Sequence, residues 1–242
     1  MIGGWFITGT DTGVGKTVIA CALATLARQQ GRKVGVFKPV ATGCRLDLRL
    51  GWVSEDSEVL AHCAESTEDL PTICPARYAG DLAPMVAAEQ SKRPIDWDAI
   101  DHSWRRIRDS NEWVIVEGAG GLLVPVDQRT NMADLARRFA LPLVIVARPT
   151  LGTINHTLLT IEAARSRGLP IAVVVINGYR PGSATLAEET NPEVISRLAK
   201  TSIPLIVPFD PHTDLRQGII GESVLWPLRQ FVSVSLDRIS PR

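Results

Sequence analysis

Short apolar runs alternate along the chain with segments of helical periodicity. Strands are predicted at the runs 5–7, 33–37, 113–116, 141–146, 171–176 and 203–207. The runs at 113–116 and 171–176 contain no polar residue, which is typical of a parallel sheet covered on both faces. The alternation of strands and helices therefore predicts an α/β fold with a doubly wound, mostly parallel sheet and helices on both faces.

The segment after the first strand is the clearest predicted helix. Its apolar residues recur at helical spacing: Val18, Ile19, Ala22, Leu23, Leu26 and Ala27. Gly31 is predicted to end this helix. Further helices are predicted from Glu55 onward, over 84–91 and over 96–108, and the last has Trp97, Ile100, Trp104 and Ile107 on one face. The second strand is predicted to end in Lys38 and Pro39, and two segments are predicted to be loops: 40–54 and 71–84.

Length and composition narrow the class of protein. The 242 residues contain no linker, repeat or low-complexity segment, so we expect a single domain over residues 1–242. Lys plus Arg and Asp plus Glu both number 26, and this balance favours neither nucleic acid nor an anionic membrane as a partner. The four cysteines have no C-x-x-C spacing and the four histidines are scattered. We therefore expect reduced thiols, a cytoplasmic location and no zinc site.

A glycine-rich segment connects the first predicted strand to the first helix. This segment, "GTDTGVGKT", covers residues 9–17 and is called the phosphate loop below. Gly13 and Gly15 would let backbone N–H groups approach an anion at the helix N-terminus, where the helix dipole favours negative charge. Lys16 would reach β- and γ-phosphate oxygens, and the Thr17 hydroxyl suits a bridging Mg²⁺. Thr10 stands where the common phosphate loop has glycine, which indicates a sub-class of phosphate loop. The alternative interpretation of the whole segment is an ordinary glycine-rich βα turn.

Three charged residues near strand ends are candidates for the same site. Glu117 follows the predicted strand 113–116 and opens a glycine-rich turn, so it is either an Mg²⁺ ligand or a solvated strand-end glutamate. Lys38 ends a second strand and either contacts a transferring phosphate or lies on the surface. Asp56 is one of three acids at a helix start, with Glu55 and Glu58, and acids there also serve as helix-dipole partners.

Two later segments are further candidates for ligand binding. Residues 151–156 open a helix after a strand, and the free N–H groups there suit a carboxylate. Asn177 follows the predicted strand 171–176 and is a candidate to contact an adenine edge.

The motifs "GTDTGVGKT", "KPVATG", "VEGAGG", "LGTINHTLLT" and "IN" occur in this order from residue 9 to residue 177. The chain resembles dethiobiotin synthetase, the ATP-dependent cyclising ligase of biotin synthesis, over residues 5 to 210. The resemblance implies a P-loop NTPase type of fold, and a reaction of 7,8-diaminononanoate with CO₂ and Mg-ATP. It implies that a carbamate is phosphorylated and that the second amine then closes a cyclic urea. It also implies a homodimer in which each substrate site is shared between subunits.

Site residues follow from the resemblance motif by motif. Lys16 and Lys38 are implied as catalytic, and Thr17, Asp56 and Glu117 as ligands of Mg²⁺, with Glu58 as the alternative to Asp56. Implied contacts with ATP and Mg²⁺ are Gly13, Val14, Gly15, Lys16, Thr17, Val18, Asp56, Glu117, Gly118, Ala119, Gly120, Asn177, Gly178, Pro208, Phe209 and Asp210. Implied contacts with the diamine substrate are Thr12 and Thr42, together with Gly152, Thr153, Ile154 and Asn155 for its carboxylate.

Two other functions are compatible with a phosphate loop. A partition-type ATPase switch would bind DNA or membrane, and such proteins carry lysine where this chain has Asp11. The neutral charge balance and the lack of a basic amphipathic tail also argue against it. A cobyrinate or cobyrate amide synthetase would need a glutaminase domain, and 242 residues leave no room for one.

Overall fold

The computed structural model describes residues 2–237. The six strands of the main sheet are β1 (Gly3–Gly9), β2 (Val34–Phe37), β7 (Trp113–Gly121), β8 (Leu143–Ala147), β9 (Ile171–Tyr179) and β10 (Leu205–Pro208). Four shorter strands are β3 (Val40–Ala41), β4 (Arg45–Asp47), β5 (Gly51–Val53) and β6 (Ala76–Arg77). The α-helices are α1 (Lys16–Gln29), α2 (Glu55–Ala64), α3 (Leu70–Ile73), α4 (Pro84–Gln90), α5 (Trp97–Ser110), α6 (Met132–Phe139), α7 (Thr153–Ser166), α8 (Leu186–Ala199) and α9 (Glu222–Asp237).

The main sheet is parallel throughout. Its strand order is β10-β9-β8-β1-β7-β2, so β1 lies in the interior between β8 and β7. The carboxyl ends of parallel strands share one edge, and the segments that follow β1, β2, β7 and β9 therefore meet there. The predicted α/β fold with a parallel sheet is confirmed.

Alternate side chains of β1 enter two separate cores. Phe6 packs with Phe139 of α6 on one face, and the two ring centroids lie 6.5 Å apart. Trp5 packs with Phe231 of α9 on the other face, at 5.0 Å. Burial on both faces accounts for the apolar runs that begin these strands, and it confirms that helices cover both faces of the sheet.

The segment 40–54 is more ordered than the loop predicted there. Residues 45–47 and 51–53 pair as the antiparallel strands β4 and β5. Asp47 closes the turn between them, because its Oδ1 accepts hydrogen bonds from the N–H groups of Arg49 and Leu50 at 2.8 and 2.9 Å. This Asp-based turn is a sequence signal that marks the hairpin.

The segment 71–84 was wrongly predicted to be a surface connection. It contains the end of α3 and the whole of β6, and Ile73 and Cys74 are fully buried. Strand β6 pairs in parallel with β3, so this segment is attached to the residues that follow β2. Proline interrupts regular structure here without removing the segment from the core.

Two strands extend beyond their predicted ends. β7 continues through Glu117 to Gly121, and β9 continues through Asn177 to Tyr179. Parallel pairing continues into both extensions, since Glu117 is opposite Ile7 and Asn177 is opposite Val207, and the register shifts directly after each of these pairs. Both polar residues therefore lie within strands and not in the loops after them. None of the helices in residues 2–237 is long and apolar enough to cross a bilayer.

Candidate active site

The phosphate loop curls at the start of α1 and depends on its glycines. Gly13 and Gly15 have φ angles of +73° and +88°, which are in the left-handed region that favours glycine. A Cβ atom at position 15 would lie 2.0 Å from Nδ2 of Asn177, so any side chain there would clash. Gly15 is also the N-cap residue of α1 and provides no side-chain cap. The first N–H groups of α1 are therefore available to an anion.

Four side chains from α1, α2, β7 and the end of β2 converge beside this loop. They are called the Lys38 cluster below: Thr17, Lys38, Asp56 and Glu117. Lys38 Nζ lies 2.6 Å from Asp56 Oδ2 and 2.9 Å from Glu117 Oε1. The Thr17 hydroxyl lies 3.1 Å from Asp56 Oδ1 and 2.9 Å from Glu117 Oε1.

Local structure explains how Asp56 enters the cluster and Glu58 does not. Ser54 caps α2 by accepting a hydrogen bond from the N–H of Ser57, which sets the first turn of the helix. Asp56 then points to Thr17 and Lys38, whereas Glu58 forms an ion pair with Arg45 at 2.5 Å. The structure therefore brings Asp56 to the phosphate loop and places Glu58 on the outer face of α2.

Burial and mutual attraction determine the charge states in the Lys38 cluster. Burial by itself would lower the pKa of Lys38, but the adjacent carboxylates of Glu117 and Asp56 raise it well above its usual value. Burial raises the pKa of Glu117, and the attraction of Lys38 opposes this shift. Burial alone would raise the pKa of Asp56, but the attraction of Lys38 and the hydrogen bond from Lys38 lower it. Lys38 is therefore a permanent cation at neutral pH.

Lys16 has a different environment from Lys38. It is only 8% exposed, and burial lowers its pKa despite the attraction of Glu117. Within residues 2–237 its ammonium group makes no hydrogen bond or ion pair with another side chain. A buried cation without a fixed partner at a helix N-terminus is suited to an incoming phosphate.

The donor set of the Lys38 cluster fits a Mg²⁺ ion. Oε2 of Glu117 is buried and has no hydrogen-bond partner, and the second carboxylate and the Thr17 hydroxyl are adjacent. Mg²⁺ in nucleotide sites is bound by one or two carboxylates together with phosphates and water. No group of three or more His, Cys, Asp or Glu residues capable of holding a metal occurs between residues 2 and 237. Two carboxylates and one hydroxyl suit a metal that arrives with a nucleotide.

A cavity of about 600 Å³ opens over the phosphate loop and the Lys38 cluster. Predicted site residues that line it are Thr12, Gly13, Gly15, Lys16, Thr17, Val18, Lys38, Thr42, Asp56, Glu117, Ala119 and Gly120. Val14 is buried in the core, and Gly118 is packed against Phe6, so neither of these two residues lines the cavity. A second wall was not predicted from the sequence and consists of Asp81, Leu82, Ala83 and Pro84.

The predicted base-contacting residues lie at the ends of β9 and β10, next to the phosphate loop. Asn177 donates a hydrogen bond from Nδ2 to the carbonyl oxygen of Val14 at 3.1 Å. Gly178 has a φ of +84°, and Pro208 is paired with Tyr179 in the neighbouring strand. These contacts place the Asn177 amide directly beside the start of α1.

Phe209 and Asp210 behave differently from each other. Phe209 is half exposed, and the guanidinium of Arg180 lies 3.6 Å from its ring centroid. Asp210 is buried, and its carboxylate accepts hydrogen bonds from the N–H groups of His212 and Ser223 at 2.9 and 3.2 Å. Asp210 therefore holds together the loop that leads to α9.

Residues 152–155 form the exposed start of α7 and do not line the cavity described above. Gly152 is the N-cap with φ +94° and provides no side-chain cap. Thr153 is buried and Ile154 packs against the core, so an approaching group meets their backbone and the exposed Asn155. Arg148, which precedes this helix, forms an ion pair with Asp11 of the phosphate loop. The structure thus separates this predicted substrate contact from the others within one chain.

The chain is similar to known proteins over most of its length. Residues 4–216 match the protein family described as an AAA domain. The ATP-dependent dethiobiotin synthetase BioD of Bacillus licheniformis is 44% identical over 206 residues, which cover 84% of this chain and 83% of the relative. The protein of the same name from Bacillus subtilis subsp. natto is 38% identical over 233 residues, covering 96% of both chains.

A solved structure with the same fold is the MinC:MinD cell division protein complex of Aquifex aeolicus. Its TM-score is 0.63 at 17% identity, with 99% of this chain and 98% of that chain covered. At this identity the likeness concerns the fold alone, which is that of P-loop ATPases. The sequence relatives extend over nearly the whole chain at much higher identity. The chain belongs to the dethiobiotin synthetase family.

Proposed function

We propose that this protein converts 7,8-diaminononanoate, CO₂ and ATP into dethiobiotin, ADP and phosphate. The proposal rests most directly on the Lys38 cluster, which sets a buried cation and two carboxylates beside the phosphate loop in one cavity. Membership of the dethiobiotin synthetase family supports it further. The product is a cyclic urea, so the chain would act as an ATP-dependent cyclo-ligase.

The triphosphate of ATP would bind along the phosphate loop. The N–H groups from Gly13 to Val18 would surround the phosphates, and the unpaired ammonium of Lys16 would contact the β- and γ-phosphates. Thr17, Asp56 and Glu117 would hold Mg²⁺, and the orphaned Oε2 of Glu117 supports this assignment. The metal would supply positive charge at the phosphate oxygens.

The reaction divides into three balanced steps. One amine of the substrate adds to CO₂ and loses a proton, which forms a carbamate. A carbamate oxygen attacks the γ-phosphorus, and ADP departs as the mixed anhydride forms. The second amine attacks the carbonyl carbon, loses a proton and expels phosphate, because the two nitrogens of one molecule react at high effective concentration. Lys16 and Lys38 would stabilise the negative charge that moves during phosphoryl transfer.

The substrate would occupy the cavity between the phosphate loop and Thr42. Thr12 and Thr42 both line this space and carry hydroxyl groups for the diamine or its carbamate. The start of α7 has free N–H groups for the substrate carboxylate but does not line the same cavity. A homodimer in which residues 152–155 of a second copy complete the site would resolve this separation.

Adenine would bind beside the ends of β9 and β10. The Asn177 amide adjoins the start of α1, and its second N–H and its Oδ1 suit the N7 and amino groups of adenine. Gly178, Pro208 and Phe209 would form the surrounding surface, and Asp210 would hold the loop that carries them. The backbone of Gly118, Ala119 and Gly120 would lie close to the phosphates.

The alternative of a partition-type ATPase switch receives no comparable support. A cell-division type of ATPase shares the fold at 17% identity, whereas the synthetases share 38% and 44% of their sequence with this chain.

The four cysteines are all free and buried, in keeping with a cytoplasmic enzyme with reduced thiols.

Omission of single reactants tests the proposed function. ADP and phosphate release should require diaminononanoate, bicarbonate and Mg²⁺ together, and one phosphate should appear for each ring closed. Hydrolysis of ATP at the same rate without diaminononanoate would contradict the ligase and favour an ATPase switch.

A further inference from the structure

Asp81 is an acidic residue of the cavity that the proposed reaction has not used. It lies between β6 and α4 and lines the cavity together with Thr42 and Leu82. The carbonyl oxygen of Gly80 accepts a hydrogen bond from the N–H of Gly43 at 2.8 Å, which attaches this loop to the segment after Lys38. Asp81 is exposed to solvent, and this backbone pairing places the residue at the cavity wall.

The exposed Asp81 carboxylate lies next to Gly43. Gly43 has a φ of +68°, and a Cβ atom at that position would lie 2.3 Å from Asp81 Oδ1. The absence of a side chain at position 43 thus leaves the space that the Asp81 carboxylate occupies. The adjacent residue, Thr42, is one of the proposed substrate contacts.

Asp81 differs from the other two acids of the cavity in having no partner. Asp56 and Glu117 are both bonded to Lys38 and Thr17. Within the described residues 2–237, the carboxylate of Asp81 makes no hydrogen bond and no ion pair. The cavity therefore has two lysines at the phosphate loop and one unpaired acid on the wall formed by residues 81–84.

This distribution of charge matches the two kinds of group that must meet in the cavity. Phosphates are attracted by Lys16 and Lys38 and repelled by a free carboxylate. Alkyl amines resemble the lysine side chain, whose pKa is about 10.4, and are protonated at neutral pH. A carboxylate is the natural partner of such an ammonium group.

We propose that Asp81 binds an ammonium group of the diamine substrate and so orients the diamine toward the phosphate loop. The inference rests on the proposed function, because it needs a substrate with two amines. Asp81 is a specificity residue in this scheme, since an analogue that lacks the amine facing Asp81 would leave its carboxylate unpaired.

Direct binding measurements test this role without turnover. We would titrate 7,8-diaminononanoate, and its analogue with a single amine, into the wild type and Asp81→Asn by calorimetry. Asp81→Asn should weaken binding of the diamine about tenfold, since a charge-assisted hydrogen bond is lost. It should also remove most of the preference of the protein for the diamine over the single-amine analogue. Asp81→Glu should retain part of that preference.

Controls separate recognition from folding. Glu89→Gln removes an exposed acid from α4 that does not line the cavity, and it should bind both compounds as the wild type does. The affinity of each variant for a non-hydrolysable ATP analogue should be unchanged. If Asp81→Asn lost that affinity or its fold, Asp81→Ser would be titrated in its place.

The outcomes distinguish this inference from the proposed function. Wild-type affinity and wild-type preference for the diamine in Asp81→Asn would overturn the role of Asp81 and leave the ligase proposal intact. A lower melting temperature with unchanged affinity would assign Asp81 a purely structural role and also overturn it. A wild-type protein that binds the ATP analogue but not the diamine would contradict the proposed function, and the role of Asp81 would fall with it.

Discussion

Lys38 Nζ lies 2.9 Å from Glu117 Oε1, and the two side chains are 4% and 1% exposed. The pair joins the end of β2 to the neighbouring strand β7 across the carboxyl edge of the sheet. An intact buried ion pair contributes little more to the free energy of unfolding than apolar packing would. Removal of one partner, however, leaves a buried charge without compensation. The relationship between Lys38 and Glu117 therefore couples the chemistry of the site to the stability of the sheet edge.

Lys38→Met should lower the free energy of unfolding by about 3 kcal/mol, because Glu117 loses its buried cation. The double variant Lys38→Met with Glu117→Gln should recover part of this loss, since the uncompensated charge is then absent. Urea denaturation of the wild type, both single variants and the double variant gives the coupling free energy. Simple additivity of the two single effects would contradict the description of this pair as energetically coupled.

Glu117→Gln should raise the concentration of Mg²⁺ that supports half-maximal activity. The amide keeps the shape of the side chain but removes the negative charge and one oxygen ligand. Glu58→Gln is the matched control, because Glu58 forms its ion pair with Arg45 on the outer face of α2. An identical Mg²⁺ titration for Glu117→Gln and the wild type would return Glu117 to a structural role.

The contribution of Asp56 to stability should disappear in acid. Its pKa is lowered in the folded protein against burial, through attraction and hydrogen bonding by Lys38. A carboxylate with a lowered folded pKa stabilises the protein above its unfolded value, which is near 3.8, and loses this contribution as the pH falls toward the folded pKa. The difference in melting temperature between the wild type and Asp56→Asn should thus be constant from neutral pH to about pH 5 and shrink below about pH 4. A difference that grew toward low pH would contradict the assigned direction.

Mixing two impaired variants should recover activity if each site is shared between subunits. Lys16→Ala should reduce turnover about 100-fold, because it removes the free cation at the phosphates. Gly152→Trp should block the start of α7 and raise the KM for diaminononanoate while ATP binding stays normal. A mixed dimer contains one site with both halves intact, so mixing should recover activity.

The control for this experiment is Gly168→Trp. Gly168 is also exposed and has a positive φ, of +66°, at the opposite end of α7, so it reports strain without blocking the proposed carboxylate site. Absence of recovery in mixtures that demonstrably exchange subunits would show that each site is built within one chain.

Much of the site could be predicted because several of its residues lie near strand ends at one edge of a parallel sheet. The phosphate loop follows β1, Lys38 follows β2 and Glu117 lies toward the carboxyl end of β7, so the sheet topology brings these three together. Asp56 is on α2 and joins them through Lys38 and Thr17. The strand ends were less predictable. Glu117 and Asn177 are polar residues that lie inside β7 and β9, and only pairing with neighbouring strands determines that.

The wall around Asp81 could not be predicted from local sequence. It reaches the cavity through the two-residue pairing of β6 with β3, and a pairing this short leaves no hydrophobic periodicity. The contact of Asn177 with Val14 likewise joins residues 163 positions apart, and no local pattern encodes it. Long-range backbone pairing therefore determines those parts of the site that local patterns leave open.

Incorporation of labelled bicarbonate is the most direct test of the central claim. The purified protein would be incubated with isotopically labelled bicarbonate, Mg-ATP and 7,8-diaminononanoate, and the products analysed by mass spectrometry. The ligase account predicts a cyclic urea whose carbonyl carbon carries the label, in amounts equal to the ADP formed. Hydrolysis of ATP with no labelled cyclic urea would contradict it.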